Sequence, residues 1–313
     1  MSSQVMRKIS VVIPVLDEKE SLPELYRQVS ESLRRLTEQY EIVFVDDGST
    51  DGSSEIMEEL ALQDERVQVI QFYRNYGKAA ALAEGFRLAN GDYVITLDAD
   101  LQDDPREFSV LLDKLDEGYD LVTGWKKVRH DPLTKRLPSK LANLVTRVMT
   151  GVRVHDMNCG LKAYRKSVIK VLEIYGGRHR YIPALAGQHK FRITEVVVNH
   201  RPRQFGKTKY GGSRLFHGFF DLLTILFLSR YTQQPLHLFG LLGLLSFLLG
   251  AIIDAYVLIL KYGYGESFQR HVAALLSGVL LIVVGVQFIS MGLLGELIAK
   301  AGHENEKMVK RVI

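Results

Sequence analysis

Along the first hundred residues, short, mainly apolar runs alternate with longer stretches of helical spacing. Residues 9–14, 41–45, 67–72 and 93–97 are the short runs, each of a length that suits a strand buried on both faces. Between them, residues 21–38, 53–63 and 78–89 place apolar side chains at the 3.6-residue period of a helix. Strand and helix in strict alternation predict a mostly parallel, Rossmann-like α/β sheet. The pattern then becomes less regular, with helices expected over 105–117 and 138–150 and a strand over 192–199.

After residue 213 the pattern changes again. Leu215, Phe216, Phe219, Phe220, Leu222, Leu223, Leu226 and Phe227 fall at helical spacing, broken by Arg214, His217 and Asp221, which predicts a helix lying in a headgroup region. Residues 236–260 are then nearly all apolar, with Asp254 the only formal charge, and residues 272–298 repeat the pattern around Gln287 and Glu296. Each run exceeds the roughly 20 residues that cross a bilayer, so two transmembrane helices are expected. The short link over 261–271 makes them antiparallel. Arg214 and Arg230 before the first span, and Lys300, Lys307, Lys310 and Arg311 after the second, favour a cytoplasmic position for both flanks. The organisation read from this is a catalytic domain over 1–212, a juxtamembrane amphipathic helix over 213–234, a two-helix transmembrane domain over 235–300 and a cytoplasmic tail over 301–313.

Composition narrows the class. The chain has 313 residues, 47% of them hydrophobic, and that surplus lies mostly in the last third. Cys159 is the single cysteine, so no internal disulfide can form, which agrees with a reducing compartment. The apolar run from Ile9 is brief, is interrupted by Pro14 and is followed by Asp17 and Glu18, so no signal peptide is expected. A net charge of +4 without a basic run and interleaved aromatics argues against nucleic acid and suits an anionic membrane surface.

Candidate chemistry gathers where the short runs stop. Asp98-Ala99-Asp100 follows the fourth run, and residues two apart on an extended chain share a face, so both carboxylates can meet one divalent cation at a strand end. Open α/β sheets bind ligands at that edge. Gln102 adds an amide oxygen, while the bland alternative makes both acids caps for the helix that follows. Three other strand ends carry polar clusters: Asp17-Glu18, Asp46-Asp47-Gly48-Ser49, and Arg74-Asn75-Tyr76-Gly77-Lys78. The acids suit a base or ribose, and Arg74, Asn75 and Lys78 suit phosphate or sugar hydroxyls. Two basic groups lie farther on, Lys126, Arg129, Lys135, Arg136, Ser139 and Lys140, then Arg201, Arg203, Lys207, Lys209 and Tyr210; solvated charge explains either as well as a phosphate site does. Gly206-Lys207-Thr208 is no phosphate loop, since Arg201 stands where the first glycine belongs. Zinc-protease, paired-cysteine and Gly-x-Ser-x-Gly motifs do not occur.

Taken together, these segments resemble family 2 glycosyltransferases of the GT-A fold. The resemblance is to the polyprenyl-phosphate group that includes dolichyl-phosphate mannose synthase and bactoprenol glucosyltransferase. It runs from Val12-Ile13-Pro14-Val15-Leu16-Asp17-Glu18 through the clusters above, then through 203–210, to 287–296 in the second span. It implies a nucleotide pocket at Pro14, Asp17, Glu18, Asp46 and Asp47, with Arg74, Asn75, Lys78 and Asp98 also on the donor. It implies Mg²⁺ or Mn²⁺ on Asp98, Asp100 and Gln102, and Asp156 in an acceptor-side loop as a catalytic candidate beside Asp98 and Asp100. The lipid phosphate is expected near Lys126, Arg129, Lys135, Arg136, Ser139, Arg203 and Lys209. Asp17, Leu16, Lys126 and Thr208 stand where the family often has Asn, Tyr, Arg and Ser; a lysine at 126 lacks the bidentate fork of arginine.

The activity this implies is metal-dependent, inverting transfer of a sugar from a UDP- or GDP-linked donor to an undecaprenyl or dolichyl phosphate. It places a multi-pass protein in the cell's inner membrane, its catalytic domain cytoplasmic, and a homo-oligomer is compatible with it. A processive polysaccharide synthase is the first rival, against which stands the lack of a Gln-x-x-Arg-Trp motif, Trp125 being preceded by Thr123-Gly124. A non-catalytic nucleotide-sugar-binding membrane scaffold is the second.

Overall fold

The computed structural model describes residues 7–127, 146–147, 150–202 and 235–303. Ile9–Val15 (β1) and Tyr40–Asp46 (β2) are apolar almost throughout and buried along their length. Such strands need cover on both faces, and the chain supplies a helix after each. Ile9, Val11, Ile13, Ile42 and Phe44 share one face, packed by Leu22–Leu36 (α1), Ser53–Gln63 (α2) and Phe108–Asp116 (α4). Val12, Val43 and Val45 share the other, packed by Ala79, Ala81, Leu82 and Phe86 of Lys78–Leu88 (α3). Each fully buried Val, Leu or Ile here contributes about 1.5–3 kcal/mol relative to exposure.

β1 runs parallel to β2, with Val12 opposite Val43, and to Tyr93–Thr96 (β4), with Val12 opposite Thr96. β2 runs parallel to Val67–Gln71 (β3). Among the described residues the seven strands lie in the order β3-β2-β1-β4-β6-β5-β7. Lys162–Arg165 (β6) is antiparallel to β4 and to Leu121–Trp125 (β5), and Ile193–Val197 (β7) returns parallel to β5. The sheet is therefore mostly parallel, as expected, with one reversed strand that the sequence pattern does not reveal. Two short helices, Lys166–Ile169 (α5) and Ile182–Gln188 (α6), complete this part, and neither was anticipated. The helix expected over 105–117 begins instead as a 3-10 turn, Pro105–Glu107, because Pro105 brings no N–H and the Asp104 carboxylate accepts from Arg106 N at 3.1 Å. The helix expected over 138–150 lies outside the described residues except for Thr146, Arg147 and Thr150.

Acid stability follows from one buried carboxylate on this framework. Asp64 accepts from Tyr26 Oη (2.8 Å), Arg66 N (3.0 Å) and Arg66 Nε (3.1 Å). Burial works against its ionisation, but these donors prevail and hold it below its ordinary value of 3.8. A carboxylate lowered on folding contributes stability above that ordinary value and loses it as pH falls through the folded one. The denaturation midpoint should therefore drop on titration below pH ~4, and drop less in Asp64→Asn.

The chain divides into two compact units, Met1–Ile225 and Leu226–Ile313. In the second, Pro235–Tyr264 (α7) and Val272–His303 (α8) form an antiparallel hairpin. A β-carbon added at Gly243 would lie 2.6 Å from Gly285 O, and one at Gly250 would lie 2.5 Å from Gly278 O, so the backbones all but touch. Ser246 Oγ donates to Leu281 O at 2.9 Å. Leu241, Ile252, Leu276, Leu280 and Leu297 face outward, each more than half exposed. Both helices are long and apolar enough to cross a membrane and bury little within the hairpin, which makes them candidate spans in the expected places. The expected interfacial helix over 213–234 and the tail beyond 303 lie outside the described residues.

Candidate active site

Parallel pairing brings the C-terminal ends of β1, β2, β3 and β4 to one edge of the sheet. Among the described residues three non-glycines have left-handed φ, and two of them, Asp17 (45°) and Leu101 (60°), lie in loops at this edge. Strained backbone of this kind persists where its surroundings over-determine it. Leu101 is buried, and Ser21 Oγ, at the start of α1, donates to Ala99 O at 2.7 Å, so the Asp98–Gln102 loop is pinned from both sides. Gln102 N donates to Asp100 Oδ1 at 3.2 Å and orients that carboxylate.

Asp98 lies in dense surroundings yet keeps 33% of its side chain accessible. Burial opposes its charge, but the ammonium of Lys78, bonded to Oδ1, and those of Lys126 and Lys162 bring it down to about 2. It is therefore ionised throughout the physiological range. The donor set that Asp98, Asp100 and Gln102 offer is all oxygen, which suits Mg²⁺ or Mn²⁺. Among the described residues no cluster of three or more His, Cys, Asp or Glu side chains could hold a metal by itself. Two carboxylates and an amide fit a hard cation whose remaining positions are filled by water and a phosphate-bearing substrate. The residues present thus fit a divalent ion, provided Lys78 moves off Asp98.

Asp98 opens onto a small cleft lined by Pro14, Lys78, Thr96, Asn158, Gly160 and His179 among others. Lys162, which also lines it, is buried, its ammonium donating to Cys159 O. Burial lowers its pKa, as it lowers that of His179 to about 3, where Lys78 and Arg180 work in the same direction. Burial drives the Cys159 thiol the other way, up to about 12, which makes it an inert packing group. Gly160 passes so close to Asp98 that an added β-carbon would lie 2.5 Å from the carboxylate carbon, and Thr96 Oγ1 fixes the loop by donating to Gly160 O at 2.8 Å. Gly160→Ala should displace the Asp98 carboxylate and lower turnover roughly 10- to 100-fold, at a cost to stability of about 1–3 kcal/mol. Steady-state kinetics beside a melting curve checks this.

The remaining expected residues serve this edge in different ways. Asp47 is buried and accepts from Tyr76 N (2.7 Å) and Gly77 N (3.1 Å), so it shapes the loop that carries Lys78. Burial, with Asp46 beside it, raises its pKa. Asp46 is buried too and accepts from Ser49 N at 2.9 Å and from Ser54 Oγ. Gly48 (φ 76°) has to be glycine, since a β-carbon there would lie 2.5 Å from the Arg74 carbonyl carbon. Asp17 Oδ1 accepts from Thr50 N at 2.8 Å, and Glu18 donates its amide to Ser53 Oγ at 2.9 Å. Arg74 lies over the Tyr76 ring at 4.9 Å, and Asn75 is exposed. Asp156 is buried, accepts from Asn158 N at 3.3 Å and does not line the cleft. Its neighbour His155 stacks on Trp125 at 4.2 Å and bonds Glu195 through Nδ1.

Lys126 differs from expectation. Rather than standing open to a lipid phosphate, it is 13% exposed and pairs with the fully buried Asp103 at 2.6 Å. Burial works against its charge, yet Asp103, Cys159 and Asp98 raise its pKa. Arg129, Lys135, Arg136, Ser139, Arg203 and Lys209 lie outside the described residues. Sequence reasoning overlooked Lys162, Gly160 and His179. The signal for His179 was present in Gly176-Gly177-Arg178-His179-Arg180, a glycine and basic cluster between apolar stretches.

Residues 10–172 match the family described as Glycosyl transferase family 2. An undecaprenyl-phosphate 4-deoxy-4-formamido-L-arabinose transferase of Pseudomonas syringae pv. syringae is 38% identical, over 96% of this chain and 88% of its own length. A protein of the same description from Salmonella choleraesuis is 39% identical, over 94% of this chain and 89% of its own. Among solved structures, glucosyl-3-phosphoglycerate synthase of Mycobacterium tuberculosis with phosphoglyceric acid aligns with a TM-score of 0.56 at 22% identity, over 70% of this chain and 80% of that one. The same enzyme with Mn²⁺, UDP-glucose and phosphoglyceric acid gives 0.55 at 20%, over 70% and 80%. These structures bear out the expected GT-A fold.

Proposed function

Because the chain belongs to glycosyltransferase family 2, we propose that it transfers a sugar from a nucleotide-sugar donor to a polyprenyl phosphate in the membrane. The observation that carries this reading is the near full-length identity with undecaprenyl-phosphate sugar transferases, which extends through the candidate spans. A processive synthase or a silent scaffold has no comparable support. UDP-linked sugars come first for test, since the fold neighbours hold UDP and UDP-glucose, and 4-deoxy-4-formamido-L-arabinose belongs in the panel because the relatives transfer it.

Asp98, Asp100 and Gln102 would hold Mg²⁺ or Mn²⁺, which supplies charge neutralisation at the departing diphosphate; a fold neighbour crystallised with Mn²⁺ supports a divalent ion. Lys78, released from Asp98, has the reach and charge to take a diphosphate oxygen, and buried Lys162 adds positive potential to the same wall. Pro14, Asp17, Glu18, Asp46, Asp47, Arg74 and Asn75 form or brace the nucleotide pocket. A lipid phosphate is anionic at neutral pH and attacks the anomeric carbon without a strong base, so alignment matters more than proton removal. Attack from the face opposite the diphosphate inverts that carbon. Arg129, Lys135, Arg136, Ser139, Arg203 and Lys209 are assigned to the lipid phosphate, and Asp156 to bracing the acceptor-side loop. The basic flanks of the spans support the cytoplasmic face of the inner membrane as the place of this chemistry.

The test is to incubate purified full-length protein with undecaprenyl phosphate and radiolabelled UDP-glucose, GDP-mannose or UDP-4-deoxy-4-formamido-L-arabinose, with and without EDTA. Label should enter the lipid fraction from one donor and stop on chelation. No lipid-linked label from any donor sinks the reading.

A further inference from the structure

We propose that His179 determines donor-sugar specificity, its Nε2 accepting a hydrogen bond from a hydroxyl or N–H of the sugar; this rests on the transferase reading above. The residue stands on Gly176–Tyr181, a 3-10 segment, and lines the same cleft as Asp98, Lys78 and Asn158. The segment is anchored at its C-terminal end. Arg178 lies over the Tyr175 ring at 3.8 Å, and Tyr181 and Ile182 are buried, the latter in the core packed by α3. Specificity needs such a fixed support.

The chemistry of the ring selects its ligand. Nδ1 faces Gly176 O at 3.3 Å, and a carbonyl can only accept, so the proton belongs on Nδ1 and Nε2 is left as a lone-pair acceptor. Burial keeps the imidazole neutral, and of the charges facing the ring, Lys78, Arg180 and Asp98, the two cations act in the same direction. A neutral acceptor repels a phosphate oxygen. Lys78 already provides a cation for a diphosphate in this cleft. What remains for Nε2 is a hydrogen-bond donor on the other half of the substrate, and in a nucleotide sugar bound through its diphosphate at Asp98, that half is the sugar.

The experiment compares full-length wild type, His179→Ala and His179→Gln. Calorimetry with Mn²⁺ and UDP or GDP reads the nucleotide half; kcat/KM for the donor that wild type uses best, and for each of its analogues lacking one hydroxyl or amide, reads the sugar half. Wild type should discriminate against one analogue by roughly tenfold or more. His179→Ala should lose that discrimination at that position alone, with nucleoside diphosphate affinity within about twofold of wild type and the loss on the full donor falling mainly on KM. His179→Gln, which keeps an acceptor, should restore part of it. Unchanged discrimination at every position in His179→Ala overturns the assignment, as does an equal loss of affinity for the bare diphosphate. Wild type that transfers no sugar from any donor defeats the transferase reading itself, and this assignment with it.

Discussion

Asp100→Asn should cut sugar transfer by roughly 10³-fold while the protein unfolds at its usual denaturant concentration. The substitution keeps the shape of the side chain and its bond from Gln102 N, and removes only the charge that a divalent ion needs. Asp98→Asn is a less clean test, because Asp98 also balances Lys78 and lies near Lys126 and Lys162. Losing it leaves ammonium groups uncompensated in dense surroundings, so folding and chemistry would suffer together. Initial rates of lipid-linked product formation at saturating Mn²⁺ give the comparison. An Asp100→Asn enzyme at full rate, indifferent to EDTA, removes the cation from the mechanism.

The second large effect is on stability. Lys126→Met should cost about 3–5 kcal/mol, since it strands the fully buried Asp103 carboxylate without a counter-ion. Asp103 has little freedom to escape to water: its backbone bridges to His200, and Asp104 beside it is held by Arg106 and Arg201. Replacing both partners, as in Lys126→Met with Asp103→Leu, should recover most of the loss, because a buried pair and an apolar pair of similar volume differ far less than a pair and a lone charge. Denaturant titration of wild type and both variants in detergent decides it. A single variant as stable as wild type would mean that water reaches Asp103.

Both predictions rest on residues that the sequence made visible to different degrees. The first four strands were legible because β1, β2 and β4, parallel and largely buried, are mainly apolar, and polar clusters mark where each of the four ends. The acid pair was legible for the same reason, since its position is given by the end of β4. β6 was not: four residues, Lys-Ala-Tyr-Arg, with a lysine whose burial no periodicity reveals, do not announce a strand. β5 ends in Thr-Gly-Trp, which reads as a turn as readily as a strand. Asp46 and Asp47 illustrate another limit. Their composition suggested ligand groups, but not the backbone amides they also take, Asp46 from Ser49 in its own turn and Asp47 from Tyr76 in the neighbouring loop. Lys126 failed as an open phosphate group because its partner, Asp103, lies 23 residues earlier and meets it only once β5 is in place.

The contact between Lys78 and Asp98 carries a consequence for how ligands arrive. A tethered ammonium occupies the carboxylate at rest, so a free divalent ion must compete with a cation that never diffuses away. A nucleoside diphosphate alters that contest by offering the ammonium a different anion. Each ligand then improves the other's hold by the same factor, as linkage requires. On the proposed reading, such a protein should bind cation poorly alone and well in the presence of its donor, and so take up the two as a pair.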